Sequence, residues 1–168
     1  VEGFQSLLVW QLHRAQRRAI IVTPYFIPDA DLFAAMRSAV LRGVDVHLLV
    51  SRVMDQPLVG MAQRSFYADM LAIGVHIHRF PRYLLHAKNV SIDEDLAIVG
   101  SSNVDLRSFQ LNLELSLLLL DRPSVFQVIA IQQKWLAESE LLNAAEWAQR
   151  PLPLRVAENI ARLFDSLI

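Results

Sequence analysis

His86-Ala-Lys88-Asn-Val-Ser-Ile-Asp93, followed six residues later by Gly100-Ser101-Ser102-Asn103, is the stretch that decides how this chain is read. The pattern is H-x-K-x4-D-x6-G-S-x-N. Six specified residues at fixed spacing are too restrictive for coincidence in a chain of 168. Leu84 to Ile92 alternates in a way that suits a strand, and Leu96 to Val99 reads as a second, apolar strand. Residues two apart in a strand project to the same side, so His86 and Lys88 are expected to leave one face together. Asn103 falls just past the end of the following strand. An imidazole, an ammonium and an amide meeting at one place suit attack on a phosphate and its retention.

Outward from this stretch, short strands alternate with helical patterns. Phe4 to Arg18 reads as a helix with Leu7, Leu8, Gln11, Leu12 and Ala15 on one side. Ala19 to Thr23 is a buried strand stopped by Pro24 and Pro28. Asp29 caps a helix running to Leu41, with Gly43 as its stop. Val44 to Val50 is an interior strand, Leu58 to Ile73 a helix ended by Gly74, and Val75 to Arg79 the next strand. After the motif come a strand over Leu111 to Leu120, a helix from Pro123 to Glu140, and helical segments near Ala144 to Gln149 and Leu154 to Leu167. This order predicts an α/β fold, a mixed β-sheet flanked by helices on both faces, in one domain over 1–168.

The bulk composition narrows the function classes. Apolar residues make up 54% and charged residues 20%, a globular balance with material for a sizeable core. A net charge of −1 gives no overall field toward nucleic acid, so no nucleic-acid partner is expected. Without cysteine there are no disulfides and no thiolate metal sites. No apolar run reaches the roughly 18 residues that span a bilayer, and no leader pattern is visible. The chain begins Val-Glu-Gly without Met, which reads as a piece of a longer protein.

Phosphodiester transfer without a metal needs a nucleophile, donors for the phosphate oxygens and an acid for the leaving alcohol. His86 suits nucleophile or acid, because imidazoles ordinarily titrate near neutrality. Lys88 supplies fixed positive charge, and Asn103 and Ser101 supply donors to the same oxygens. Glu114 stands in an apolar strand pattern, where a charge needs a reason. It suits a carboxylate that fixes the His86 tautomer, as the third member of a triad does, and Asn112 on the same face would join it. The competing reading pairs Glu114 with Arg107. Asp93 opens Asp93-Glu94-Asp95 and reads as a turn residue holding the hairpin rather than a phosphate ligand. His76 and His78 alternate on one strand face, but no third ligand stands out nearby, so no metal site is expected. Tyr25 and Phe26 follow the first strand and suit either a headgroup entrance or core packing. Val156, Ile160, Leu163, Phe164 and Leu167 form one stripe with Arg155 and Arg162 off it. That helix is expected to close its own core, with a membrane interface as the alternative.

The central segment resembles the HKD motif of the phospholipase D superfamily. Thr23-Pro-Tyr-Phe-Ile-Pro-Asp29, Arg42-Gly-Val-Asp-Val46, Arg107-Ser-Phe109 and Asn112-Leu-Glu114-Leu resemble the C-terminal half of bacterial cardiolipin synthases, from about Ile20 to the chain end. The resemblance implies His86 as nucleophile or acid/base, Lys88 and Asn103 as phosphate ligands, a structural Asp93 and Gly100, Glu114 as the partner of His86, and no cofactor. It also implies phosphatidyl transfer between two phosphatidylglycerols through a phospho-histidine, at the bacterial inner membrane. Two imidazoles are needed and this chain carries one motif. Its partners are therefore expected to be phosphatidylglycerol and other phospholipids, a membrane surface, and an N-terminal HKD half or a second copy. In two-motif members the N-terminal His is usually the nucleophile, which would leave His86 as acid/base. The alternatives are a single-motif homodimeric phosphodiesterase, nuclease or phospholipase D, and an isolated half that binds lipid or partner without turning over.

Overall fold

The computed structural model describes residues 3–105, 108–109 and 113–163. Seven strands form one mixed sheet in the order β6-β5-β4-β1-β2-β3-β7. They are β1 (Arg18–Val22), β2 (Asp45–Ser51), β3 (His76–Phe80), β4 (Asn89–Ile92), β5 (Leu96–Gly100), β6 (Ser116–Leu119) and β7 (Glu140–Leu141). β1–β2 and β2–β3 are parallel, joined by helical crossovers, and every other pairing is antiparallel. The helices are α1 (Gly3–Arg14), α2 (Ala30–Leu41), α3 (Pro57–Ala72), α4 (Arg122–Ala137), α5 (Ala144–Ala148) and α6 (Leu152–Arg162).

One sheet face meets α1, α2 and α3 in the main core, where Leu8, Leu12, Ile21, Met36, Leu48 and Tyr67 are fully or almost fully buried. The other face carries a smaller core of Ile20, Val22, Leu49, Phe80 and Leu85, closed by Trp135 and Leu136 of α4. The parallel strands are buried on both faces and so read as near-continuous apolar runs. Asp29 caps α2 by accepting from Leu32 N at 2.8 Å. Gly43 and Gly74 end α2 and α3 at positive φ (88° and 94°), which a side chain would strain.

Four expectations change. The segment before β4 is irregular up to Lys88, because β4 begins only at Asn89, where it pairs with Val22 and Val99. α1 stops at Arg14, and the chain then turns under the Asp93 carboxylate. The C-terminal end of the predicted helix at Glu140 is instead β7, which pairs with the outer side of β3. The fourth concerns α6. Its stripe does not close the core: Val156, Ile160 and Leu163 are 47%, 53% and 77% exposed, while Glu158 is 1% exposed. Arg64 and Arg150 both donate to the Glu158 carboxylate, and that buried, doubly paired charge turns the apolar side of the helix outward. Arg107, Asn112, Phe164 and Leu167 lie outside the described residues.

Candidate active site

The motif crosses the sheet and returns. His86 and Lys88 stand at the end of the sheet where β1 and β2 finish. β4 then carries the chain to Asp93 at the opposite end, and β5 brings Gly100 to Asn103 back. Gly100 N donates to Lys88 O at 3.1 Å, which ties the returning strand to the motif lysine. Gly100 also faces Ser116 on β6, and a Cβ there would lie 2.5 Å from Leu115 O and 2.6 Å from Ser116 Oγ. That close backbone approach explains the glycine without any contact to substrate.

The two leading residues meet although their segment is not a strand. Lys88 Nζ lies 3.1 and 3.2 Å from the two ring nitrogens of His86 and donates to the His86 carbonyl at 3.0 Å. His86 is exposed and Lys88 half-buried. Burial pulls the Lys88 ammonium below its ordinary value, opposed by the negative charges of Glu114 and Asp105. A phosphate oxygen placed between these side chains would meet an ammonium proton and an imidazole together.

Asn103 and Ser101 are placed less freely than the sequence suggested. The Asn103 amide acts on the Asp105 carboxyl in the lowering direction, while Asn103 Oδ1 is buried and has no hydrogen-bond partner among the described residues. Ser101 Oγ donates to Glu114 at 2.5 Å and accepts from Leu115 N at 3.0 Å, so its one proton is already committed. Glu114 precedes β6 rather than lying in a strand. The tail of the motif is held over β1 by the Phe26–Val104 bridge and by Ile27 N donating to Val104 O at 2.8 Å.

Asp93 sits far from this cluster. At φ 52° it makes the β4–β5 turn, and its carboxylate accepts from the backbone N–H groups of Gln16, Arg17 and Arg18 at 3.0, 2.8 and 2.9 Å. It holds the α1–β1 turn as well as the hairpin, so its reach is wider than the sequence reading gave it. Three N–H donors on one carboxylate make a strong, local anchor.

Three residues at the site were not anticipated or were left open. Asp105, 8% exposed, accepts from Ser108 N at 2.7 Å, and burial raises its carboxyl above the usual range. The Asp105-Leu-Arg-Ser108 spacing was the available signal, an Asx-type turn. Tyr25 packs edge-on against His86 with ring centroids 6.3 Å apart, and its hydroxyl donates to Asp55 at 2.5 Å. Burial, then the Asp55 contact, pushes the Tyr25 phenol up to about 12. Asp55 is lowered by that same hydrogen bond and by the charge of His86. Nothing in the sequence ties Asp55 to the motif. Phe26 is fully buried in the core.

The sheet register adds neighbours that the sequence did not show. His76 and His78 do have neighbours of ligand type, because β2 and β3 run parallel with His47 opposite His76. His47 Nδ1 lies 2.9 Å from His78 Nε2, and His47 Nε2 lies 2.8 Å from Asp45. Burial lowers both His47 and His78, the latter to about 4. Among the described residues, no three such side chains are placed to hold a metal ion.

A mixed seven-stranded sheet with this crossing hairpin is the architecture of phospholipase D-like domains. The solved phospholipase D family member Nuc from Salmonella typhimurium matches with a TM-score of 0.70 at 16% identity, over 83% of this chain and 90% of that one. The phosphatidylserine synthase of Haemophilus influenzae matches with a TM-score of 0.74 at 18% identity, over 98% of this chain and 43% of that one. The chain belongs to the family described as the cardiolipin synthase, PLD-like domain, whose model matches residues 8–136. Cardiolipin synthase A of Serratia proteamaculans is 39% identical over 99% of this chain, and that of Shigella dysenteriae 41% over 99%. The chain spans about a third of the length of these relatives, 34% and 35%.

Proposed function

We propose that residues 1–168 form one catalytic unit of a metal-independent phosphatidyltransferase that makes cardiolipin from two phosphatidylglycerols. The observation that carries this reading is the His86–Lys88 contact, in a chain about 40% identical along its length to cardiolipin synthases A. An imidazole nitrogen attacks phosphorus, and the bond from phosphorus to the glycerol oxygen breaks. A second imidazole protonates the departing glycerol. That second imidazole then takes the proton of a hydroxyl on another phosphatidylglycerol. The freed oxygen attacks phosphorus, the phosphorus–nitrogen bond breaks, and cardiolipin leaves. Lys88 and the amide of Asn103 steady the phosphate oxygens, and Glu114 sets the tautomer of His86. His86 serves as the acid/base, and the nucleophile comes from a second HKD unit, in an upstream half or another copy.

The surfaces fit such a pairing at a lipid boundary. β6 is an edge strand with Leu117 62% exposed and exposed leucines on either side, a surface suited to the second unit. The outward stripe of α6, flanked by exposed Arg155, suits an anionic bilayer such as the bacterial inner membrane. Among the described residues no helix is long and apolar enough to cross a membrane.

The reading is tested by incubating the chain with phosphatidylglycerol vesicles without metal, alone and with a supplied N-terminal HKD half, and measuring lipids by mass spectrometry. Cardiolipin that disappears in His86→Ala supports it. An active His86→Ala chain, or no phosphatidyl transfer with either partner, sinks it.

A further inference from the structure

We infer that the groove between α4 and the β5–β6 edge receives an acyl chain of the phosphatidyl group, an assignment that rests on the phosphatidyl-transfer reading above. The groove is a cavity of about 540 Å³ with His86 and Lys88 on its lining. Its apolar walls are Val99 and Leu119 from the sheet and Val128, Ile131 and Trp135 from α4, with the uncharged Asn89, Ser124 and Gln127 between them. Val128, Ile131 and Trp135 follow one another at helical spacing on one side of α4. Val99 and Leu119 point to the same sheet face, since Leu117 pairs with Val99 and strand residues alternate.

The apolar part of these walls is open. Ile131 is 50% exposed and Val99 38%, whereas Ile20, Val22 and Leu49 on the same sheet face are shut under Trp135 and Leu136. The helix covers the middle of the sheet and leaves a slot at its β6 side. Lys88 is the only fixed charge among the described lining residues. A nucleic-acid strand would need cations along the path, one for each phosphate engaged. One cation followed by an apolar wall fits instead a single anionic phosphate carrying a hydrocarbon tail, whose burial is favourable for every methylene covered. The groove therefore positions the phosphorus by holding what is attached to it.

The test uses the 168-residue chain carrying Trp10→Phe, which leaves Trp135 in the groove and Trp147 buried on the opposite side of the sheet. The probe is dioctanoyl phosphatidylglycerol with terminally brominated chains, kept below its aggregation concentration. Bromine quenches tryptophan only near contact. The expected result is saturable quenching that vanishes in Trp135→Phe and is weakened about tenfold or more in Ile131→Arg, which keeps its melting temperature and circular dichroism. Glycerophosphoglycerol, the same headgroup without chains, competes without quenching. If equilibrium dialysis shows lipid bound with Trp135 unquenched, or Ile131→Arg binds as tightly, the groove assignment is overturned and phosphatidyl transfer stands. If the lipid does not bind while bis-p-nitrophenyl phosphate is cleaved, both fail. Light scattering that shows paired chains with Trp135 inaccessible overturns it in favour of a second copy in the groove.

Discussion

Two places on the sheet hold histidines in opposite circumstances. Just before β4, His86 is exposed beside Lys88, with a groove in front. On the parallel strands β2 and β3, His47 and His78 are hydrogen-bonded to each other, and His47 to Asp45, with His76 alongside. Three histidines at the second place outnumber one at the first. What separates them is that Asp45 and the ring of His78 take both nitrogens of His47, while the ring of His86 faces solvent and a cation. A histidine is available for chemistry when its neighbours leave a place for a substrate atom.

The largest effect is expected at His86. His86→Ala is expected to lower cardiolipin formation by about a thousandfold or more with an unchanged melting temperature, since the side chain is exposed. His47→Ala should do the reverse, moving the melting temperature and leaving turnover within a few-fold. Equal turnover losses in the two variants would erase the distinction between the two places. Gly100→Ala is expected next, at about 2–3 kcal/mol of stability by denaturant titration, because its Cβ meets the backbone carbonyl of Leu115. Asp93→Ala should cost about 1–2 kcal/mol through three N–H groups left without their acceptor, and Asp93→Asn less.

The smallest effect is a pH dependence contributed by the histidine cluster on β2 and β3. His47 and His78 are lowered in the folded protein, so the unfolded chain binds more protons below the ordinary histidine value of about 6.5. Stability is then highest above that pH and falls as pH drops from about 6.5 toward about 4, where His78 finally charges in the folded state. Melting temperatures across this window should flatten in His78→Gln. His76, Asp45 and Arg18 face the same pair and remain in that variant. A slope unchanged by His78→Gln would place the titrating groups elsewhere.

Much of this was legible beforehand. The strand and helix order, the Asp29 cap and the two glycine stops follow from local chemistry that acts within a few residues. The motif named His86, Lys88, Ser101 and Asn103, and the structure puts His86 against Lys88 and Ser101 against Glu114. Tyr25 was left between entrance and core and turns out to touch His86. Asp55 was invisible, since thirty residues separate it from Tyr25 and no pattern links them. The third histidine was missed for the same reason: His47 and His76 become neighbours only through the parallel β2–β3 register.

Consecutive residues were enough for the alternation of elements, the candidate site residues and the family, because periodicity, capping and motif spacing act over short stretches of chain. Which way α6 faces came only from long-range contacts. Its stripe looked like a core-closing face, yet Arg64 and Arg150, far apart in sequence, both reach Glu158. A buried carboxylate requires its partners more strongly than a few exposed apolar side chains require cover, and so the charge set the rotation of the helix.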